Sequence, residues 1–185
     1  PRIVPDAFVI PAISSEEAME LSYFGAKVIH PYTMVPAVEK NIPILIKNSL
    51  NPAAPGTLIA AAQTMKRDNS LPITGIASIE GISLVNIEGG GMMGIPGFAA
   101  RIFAALAREG INIIMISQAS SEHTICLVFR TAEGERALAT LNRELAPELH
   151  SHRIERFELL RDLLIVSVIG ENMHATPGIA GRLFS

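Results

Sequence analysis

Apolar residues recur along this chain at two alternating spacings, and each change of spacing marks an element. Ser14-Ser15-Glu16-Glu17 precedes Ala18, Leu21 and Phe24 at helical intervals, and Gly25 is placed to end that helix. Ser14 and Glu17 have the spacing of a capping box, in which each side chain meets the other residue's backbone N–H. Pro31 and Pro36 suit the first turn of a second short helix reaching about Lys40. The apolar runs 42–47 and 57–61 read as strands on either side of the proline-glycine turn cluster 51–56. Residues 63–72 are polar and read as a linker. Beyond them, 73–79 and 82–87 read as a pair of strands about a turn at Glu80-Gly81. A glycine-rich loop (89–97) leads to a helix over 98–108, with Ile102, Phe103 and Leu106 on one side and Gly110 closing it. Strands 111–117 and 124–130 flank the polar loop 118–123. A helix over 133–145 follows, with Ala137, Leu138, Leu141 and Leu145 inward and Pro147 ending it, and 163–169 reads as a further strand. From residue 82 the order is βαββα, an α+β pattern with helices on one face of an antiparallel sheet.

The pattern repeats. Residues 84–104 (LVNIEGGGMMGIPGFAARIFA) align without a gap on 165–185 (IVSVIGENMHATPGIAGRLFS), 81 positions on. Gly89/Gly170, Met92/Met173, Pro96/Pro177, Gly97/Gly178 and Arg101/Arg182 are among the identical pairs. Such self-similarity marks a duplicated structural unit. The second copy breaks off inside its first helix, and the chain opens at Pro1 without a Met, so the sequence reads as a piece of a longer protein. A paired sensor or assembly module fits this duplication better than a catalytic centre does.

Composition narrows the classes. With 49% apolar residues, few aromatics and no Trp, the cores should be aliphatic. A net charge of −3 without any basic run argues against a nucleic-acid partner. The longest apolar runs are far too short for a membrane span, so no membrane partner is expected. A single cysteine, Cys126, excludes a disulfide framework and fits a cytoplasmic location; within an apolar stretch it reads as a buried, inert thiol.

Gly89-x-Gly91-x-x-Gly94 spells a dinucleotide fingerprint, but that motif needs a helix starting within the glycines. Pro96 and Gly97 delay the helix, and the second copy keeps only the first glycine, so dinucleotide binding is rejected. The shared Pro-Gly pair is more telling, because free N–H groups at that helix end suit a carboxylate; a plain tight turn is the alternative. His150-x-His152 is too small a cluster for a metal, and no metal site is expected.

Three stretches carry a resemblance. Residues 1–7 (PRIVPDA), 20–31 (ELSYFGAKVIHP) and 51–59 (NPAAPGTLI) closely resemble the last part of an aspartate kinase catalytic domain. Gly94-Ile95-Pro96-Gly97 with 113–123 (IIMISQASSEH) resembles the first ACT domain of the same enzymes, in wording nearest the bifunctional aspartokinase–homoserine dehydrogenases. The implied fold is a ferredoxin-like βαββα ACT module, with a second one begun, following the C-terminal part of an α/β amino-acid-kinase domain. The resemblance also implies a parent kinase that phosphorylates the side-chain carboxylate of L-aspartate with ATP and Mg, fused to an NADP-dependent homoserine dehydrogenase. It places Arg2, Lys27 and Val28 at the nucleotide, where a cation beside polyphosphate makes electrostatic sense. Catalytic groups lie upstream of Pro1 in that family, so this stretch alone should be inactive. Tyr32 departs from the basic residue that follows His-Pro in many relatives.

The expected organisation is the end of the kinase domain at 1–62, a linker at 63–72, a first ACT domain at 73–160 and the start of a second at 161–185. The expected role is feedback sensing of a small molecule, with L-threonine favoured, and a homo-oligomer built through the ACT units. Gly94, Ile95 and Gly97 would meet the effector's carboxylate by their N–H groups, with Asn112 and Gln118 nearby. Two alternatives stand beside this: an ACT region that only assembles subunits, and a lysine-sensitive single-function aspartokinase. A lysine site would need an acidic partner for the ammonium, and 112–116 (NIIMI) offers no carboxylate. Glu88 and Glu122 are the nearby acids within reach of an ammonium from outside the strand.

Overall fold

The computed structural model describes residues 4, 6–64, 72–92, 94–118, 123–171 and 173–185. The chain divides into two compact units, residues 1–78 with 166–185, and residues 79–165.

In the first unit, β1 (Ala12–Ser14) pairs in parallel with β3 (Thr57–Ala60), which pairs antiparallel with β2 (Ile44–Ile46). Helix α1 (Ser15–Tyr23) begins with the expected capping box: Ser14 Oγ accepts from the Glu17 N–H at 3.1 Å, and Glu17 Oε2 accepts from the Ser14 N–H at 3.2 Å. Helix α2 (Pro31–Glu39) starts at Pro31, but Pro36 lies inside it and not in its first turn. Its N-cap is His30, whose Nδ1 accepts from the Tyr32 N–H at 3.4 Å. Ile13, Ala18, Met34 and Ile59 form the core of this part.

A four-stranded sheet, most of it in the second unit, is ordered β5 (Met115–Gln118), β6 (Thr124–Arg130), β4 (Gly75–Glu88), β7 (Arg156–Ile169). Strand β4 (Gly75–Glu88) pairs antiparallel with β6 (Thr124–Arg130), from Ile82 opposite Arg130 to Glu88 opposite Thr124. Strand β5 (Met115–Gln118) runs antiparallel along the other side of β6, with Gln118 opposite Ile125. Helices α3 (Phe98–Arg108) and α4 (Thr131–Glu144) cover one face. Val85 and Ile87 of β4 and Ile125, Leu127 and Phe129 of β6 alternate inward against Ile102 and Leu106 of α3 and Leu141 of α4.

Four sequence expectations change. Glu80-Gly81 is no hairpin turn: β4 runs through it for 14 residues, with Gly81 at φ +69°. The two flanks cannot pair with each other because they have different partners. Residues 82–88 pair with β6, whereas the Thr74 N–H donates to the Ile169 carbonyl at 2.8 Å. A left-handed residue within a strand bends it without reversing it. Secondly, β7 (Arg156–Ile169) starts seven residues before the expected 163 and supplies a fourth strand, held where the Glu155 N–H donates to Glu88 O at 2.8 Å. Thirdly, Pro147 opens a short helix, α5 (Ala146–His150), instead of only ending α4. Fourthly, residues 111–114 lie outside β5 although Ile111 is buried.

The sequence repeat is also a structural one. In each copy a strand runs into a single 3₁₀ turn (Gly90–Met92, Met173–Ala175), a left-handed glycine N-cap, and a helix, the second being α6 (Ile179–Phe184). The caps match closely, Gly97 at φ +80° and Gly178 at φ +86°. Among the described residues no helix is long and apolar enough to cross a membrane.

Candidate functional site

Two glycines of the 89–97 loop, Gly89 and Gly91, are required by the fold. A β-carbon on Gly89 would lie 2.3 Å from the Arg153 carbonyl oxygen, and one on Gly91 2.5 Å from Arg153 Cα, because the chain entering β7 crosses directly over the loop. The Gly89 and Gly91 N–H groups donate to His123 O and Arg153 O, each at 3.0 Å. Those amides are therefore unavailable to a pyrophosphate, which agrees with rejecting the dinucleotide reading.

What the loop leaves open is the start of α3. Gly97 has no side chain to cap the helix, and the first intrahelical bond is Arg101 N–H to Gly97 O at 3.1 Å. Phe98 N–H turns back to Ile95 O at 3.3 Å. Helix geometry gives the Ala99 and Ala100 amides no intrahelical acceptor, and both residues border a cavity of about 410 Å³. Gln118, at the end of β5, borders the same cavity, with Met92, Ile95 and Ile125 as its apolar walls. Among the described residues no charged side chain lines it. An uncapped helix start favours a carboxylate, and a primary amide nearby can both donate and accept.

Of the five effector-site residues expected from sequence, the cavity gathers Ile95, Gly97 and Gln118. Ile95 contributes its side of the wall more than its N–H, which points to Met92 O at 3.4 Å. Gly94, at φ +69°, and Asn112 are exposed and do not line it; the Asn112 N–H donates to Glu133 Oε2 at 3.3 Å. Ala99 and Ala100 were missed, although Pro-Gly before a helix already pointed to the first-turn amides. Of the two acids named as candidate partners for an ammonium, Glu88 is engaged by Arg156 Nε at 2.7 Å and Asn86 Nδ2 at 2.5 Å. Glu122 lies outside the described residues.

In the first unit, Lys27 and Val28 are exposed in the segment between α1 and α2, and Arg2 lies outside the described residues. Beside Val28 runs an apolar groove of about 310 Å³, bordered by Phe8, Val9, Leu21 and Ile29. Tyr32 is exposed and stacks at a tilt on His30, with ring centroids 5.4 Å apart. Among the described residues no three His, Cys, Asp or Glu side chains cluster as metal ligands. Burial, with a smaller push from Glu88, raises the Cys126 thiol's pKa, and its Sγ donates to Asn86 Oδ1 at 3.3 Å. Both features mark an unreactive cysteine.

Comparison with known proteins matches these parts. Residues 85–145 fit the ACT domain family and residues 1–48 the amino acid kinase family. The bifunctional aspartokinase/homoserine dehydrogenase of Haemophilus influenzae is 45% identical over the whole chain, which covers 22% of that protein. A chloroplastic counterpart from Arabidopsis thaliana is 40% identical, again over the whole chain and 20% of the relative. Among solved structures, Clostridium acetobutylicum aspartate kinase superposes with a TM-score of 0.84 at 28% identity, covering all of this chain and 41% of that one. E. coli aspartokinase III in complex with aspartate and ADP follows at 0.77 and 30%, covering all of this chain and 40% of that one. The chain thus spans about a fifth of the length of its curated relatives. Over its whole length it resembles the aspartokinases, with the match to the amino acid kinase family passing into the match to the ACT domain family.

Proposed function

We propose that this stretch is the regulatory region of an aspartate kinase and that it senses L-threonine for feedback inhibition. The observation that carries the reading is the cavity of about 410 Å³ where Gln118 stands by the uncapped start of α3 and where, among the described residues, no charged side chain intrudes. The effector's carboxylate lies at the Ala99 and Ala100 amides, and its small hydroxylated side chain lies against Gln118 and the apolar wall. Among the described residues a lysine ammonium buried there would lack an acidic partner, since Glu88 is already held by Arg156. E. coli aspartokinase III, a structural relative, has been solved with lysine and aspartate, so small effectors have precedent in the family.

In the parent protein, the kinase transfers phosphate from ATP to L-aspartate with Mg, and an NADP-dependent homoserine dehydrogenase follows in the same cytoplasmic chain. Arg2, Lys27 and Val28 belong to the nucleotide side. Residues 1–62 close the kinase domain, 63–72 link it onward, 73–160 hold the first ACT domain, and 161–185 open the second. Residues 72–78 also lend the second domain a strand, which the Thr74–Ile169 bond supports. Titrating L-threonine into the parent enzyme while following kinase turnover tests the reading.

A second reading is assembly without a ligand. It is favoured by β5, an edge strand whose four residues are all exposed, Met115 and Ile116 at 41% and 49%. Saturable amino-acid binding separates the two.

A further inference from the structure

Glu17 does more than cap a helix. It sits in the first turn of α1 and is 3% exposed. The capping box uses Oε2, which accepts from the Ser14 N–H. The other oxygen, Oε1, accepts from Thr74 Oγ1 at 2.8 Å and from the Glu171 N–H at 3.0 Å, groups 57 and 154 positions away. Three chain segments therefore converge on one buried carboxylate.

Those segments are the ones that regulation must connect. Glu171 follows Gly170 in the second repeat's loop, the counterpart of Gly90 in the first. Gly170 is fixed against the Pro72–Ile73 backbone, where a β-carbon would lie 2.1 Å from Pro72 O. Strand β4 begins at the residue after Thr74 and ends at the residue before Gly89, where the first repeat's loop starts. On the kinase side, α1 passes through Phe24 N–H to Glu20 O and Ala26 N–H to Leu21 O, both 2.9 Å, directly into Lys27 and Val28. Gly75 leaves 3.0 Å between its would-be β-carbon and Leu21 Cδ2, so α1 lies close against the start of β4. A buried carboxylate cannot follow one donor without abandoning another, since an unpaired buried charge is costly.

We propose that Glu17 is a positioning residue that couples the ACT region to the kinase segment: displacement of Thr74 or Glu171 is passed through its carboxylate to α1, and so to Lys27 and Val28. This rests on the feedback-sensing reading above and names the route that reading requires.

The test uses the parent enzyme, with Glu17→Gln, Thr74→Val and the double variant. Gln keeps one acceptor oxygen and puts an NH₂ donor where the other stood; Val removes only the Thr74 hydroxyl. L-threonine binding is followed by calorimetry and kinase inhibition by turnover. The expected result is a threonine Kd changed by no more than the coupling itself, with the residual kinase turnover at saturating threonine raised about tenfold, the size of ordinary allosteric couplings. The double variant should be no worse than Glu17→Gln, because both changes act on the same carboxylate. Residual turnover at saturation as low as the wild type's in both single variants would overturn the coupling role. So would inhibition that stays complete at saturation and shifts only in step with Kd, which marks damage to the site itself. Should Glu17→Gln melt early, Thr74→Val alone decides. Absence of any amino-acid binding by the unmutated enzyme removes the sensing reading, and this route with it, before a variant is made.

Discussion

Gly89 and Gly170 make the same crossing in the two repeats. A β-carbon on the first would lie 2.3 Å from Arg153 O, and on the second 2.1 Å from Pro72 O. The bonds beside them match as well: Glu155 N–H to Glu88 O and Thr74 N–H to Ile169 O are both 2.8 Å. The duplication therefore preserves a place where one chain passes tightly over another, which is why this glycine survives in both copies.

Replacing either glycine by alanine should cost about 2–3 kcal/mol, because backbone on both sides must shift to admit the methyl. Gly97→Ala is the control. Its β-carbon meets open space, so only the left-handed backbone at φ +80° is strained, at about 1–2 kcal/mol. Denaturant melts of the three variants check the order; equal losses would remove the crossing as the cause.

Arg101 and Glu148 supply a pH dependence. Arg101 Nη1 donates to Glu148 Oε1 at 2.5 Å, and that bond holds the Glu148 carboxyl below the ordinary glutamate range, against the opposing effect of burial. A depressed folded pKa stabilises the fold above the unfolded value and stops doing so as pH falls through the folded one. The melting temperature of the wild type should therefore drop on acidification below the ordinary glutamate range. Arg101→Met should melt earlier at neutral pH, and the gap between the two should close in acid. Because Arg101 is 43% exposed, the effect is modest and weakens in salt. A pH-independent gap would contradict this account.

The exposed edge at Met115–Gln118 predicts a dimer of the parent enzyme through paired β5 strands. Sedimentation should give a concentration-dependent mass near twice that of the subunit. Ile116→Pro, which removes a ladder donor and adds no charge, should lower it toward one. A strict monomer at high concentration would refute the pairing.

Gln118→Ala should raise the threonine concentration needed for half inhibition about tenfold, as loss of a hydrogen bond to a charged or hydroxylated ligand does. Uninhibited kinase turnover should stay near wild type. Unchanged sensitivity takes Gln118 out of the site.

Local signals were the legible ones. The Ser14/Glu17 capping box and the helix over 98–108 could be read directly, because each depends on residues within a few positions. Glu80-Gly81 misled because a turn spelling says nothing about strand partners, and the partners of β4 are far away in sequence. The early part of β7 did leave a signal: Phe157 and Leu159 alternate with Arg156 and Glu158 at the strand period.

 

Leu159 packs against the aliphatic core with Phe157, as that alternation requires. Nothing local marked Glu17 as more than a cap, since its other donors are 57 and 154 positions away. The effector cavity was half legible. Pro96-Gly97 and Gln118 stood out by type, whereas Asn112 drops out because residues 111–114 leave the strand and its N–H turns to Glu133.

An amino acid without a cationic side chain is expected to fill the cavity bordered by Gln118 and the start of α3. Calorimetry on the parent enzyme, with L-threonine and L-lysine titrated separately, tests it most directly. Saturable binding of threonine, lost or weakened in Gln118→Ala, is expected, and none for lysine. Saturable binding of lysine with none for threonine would contradict it.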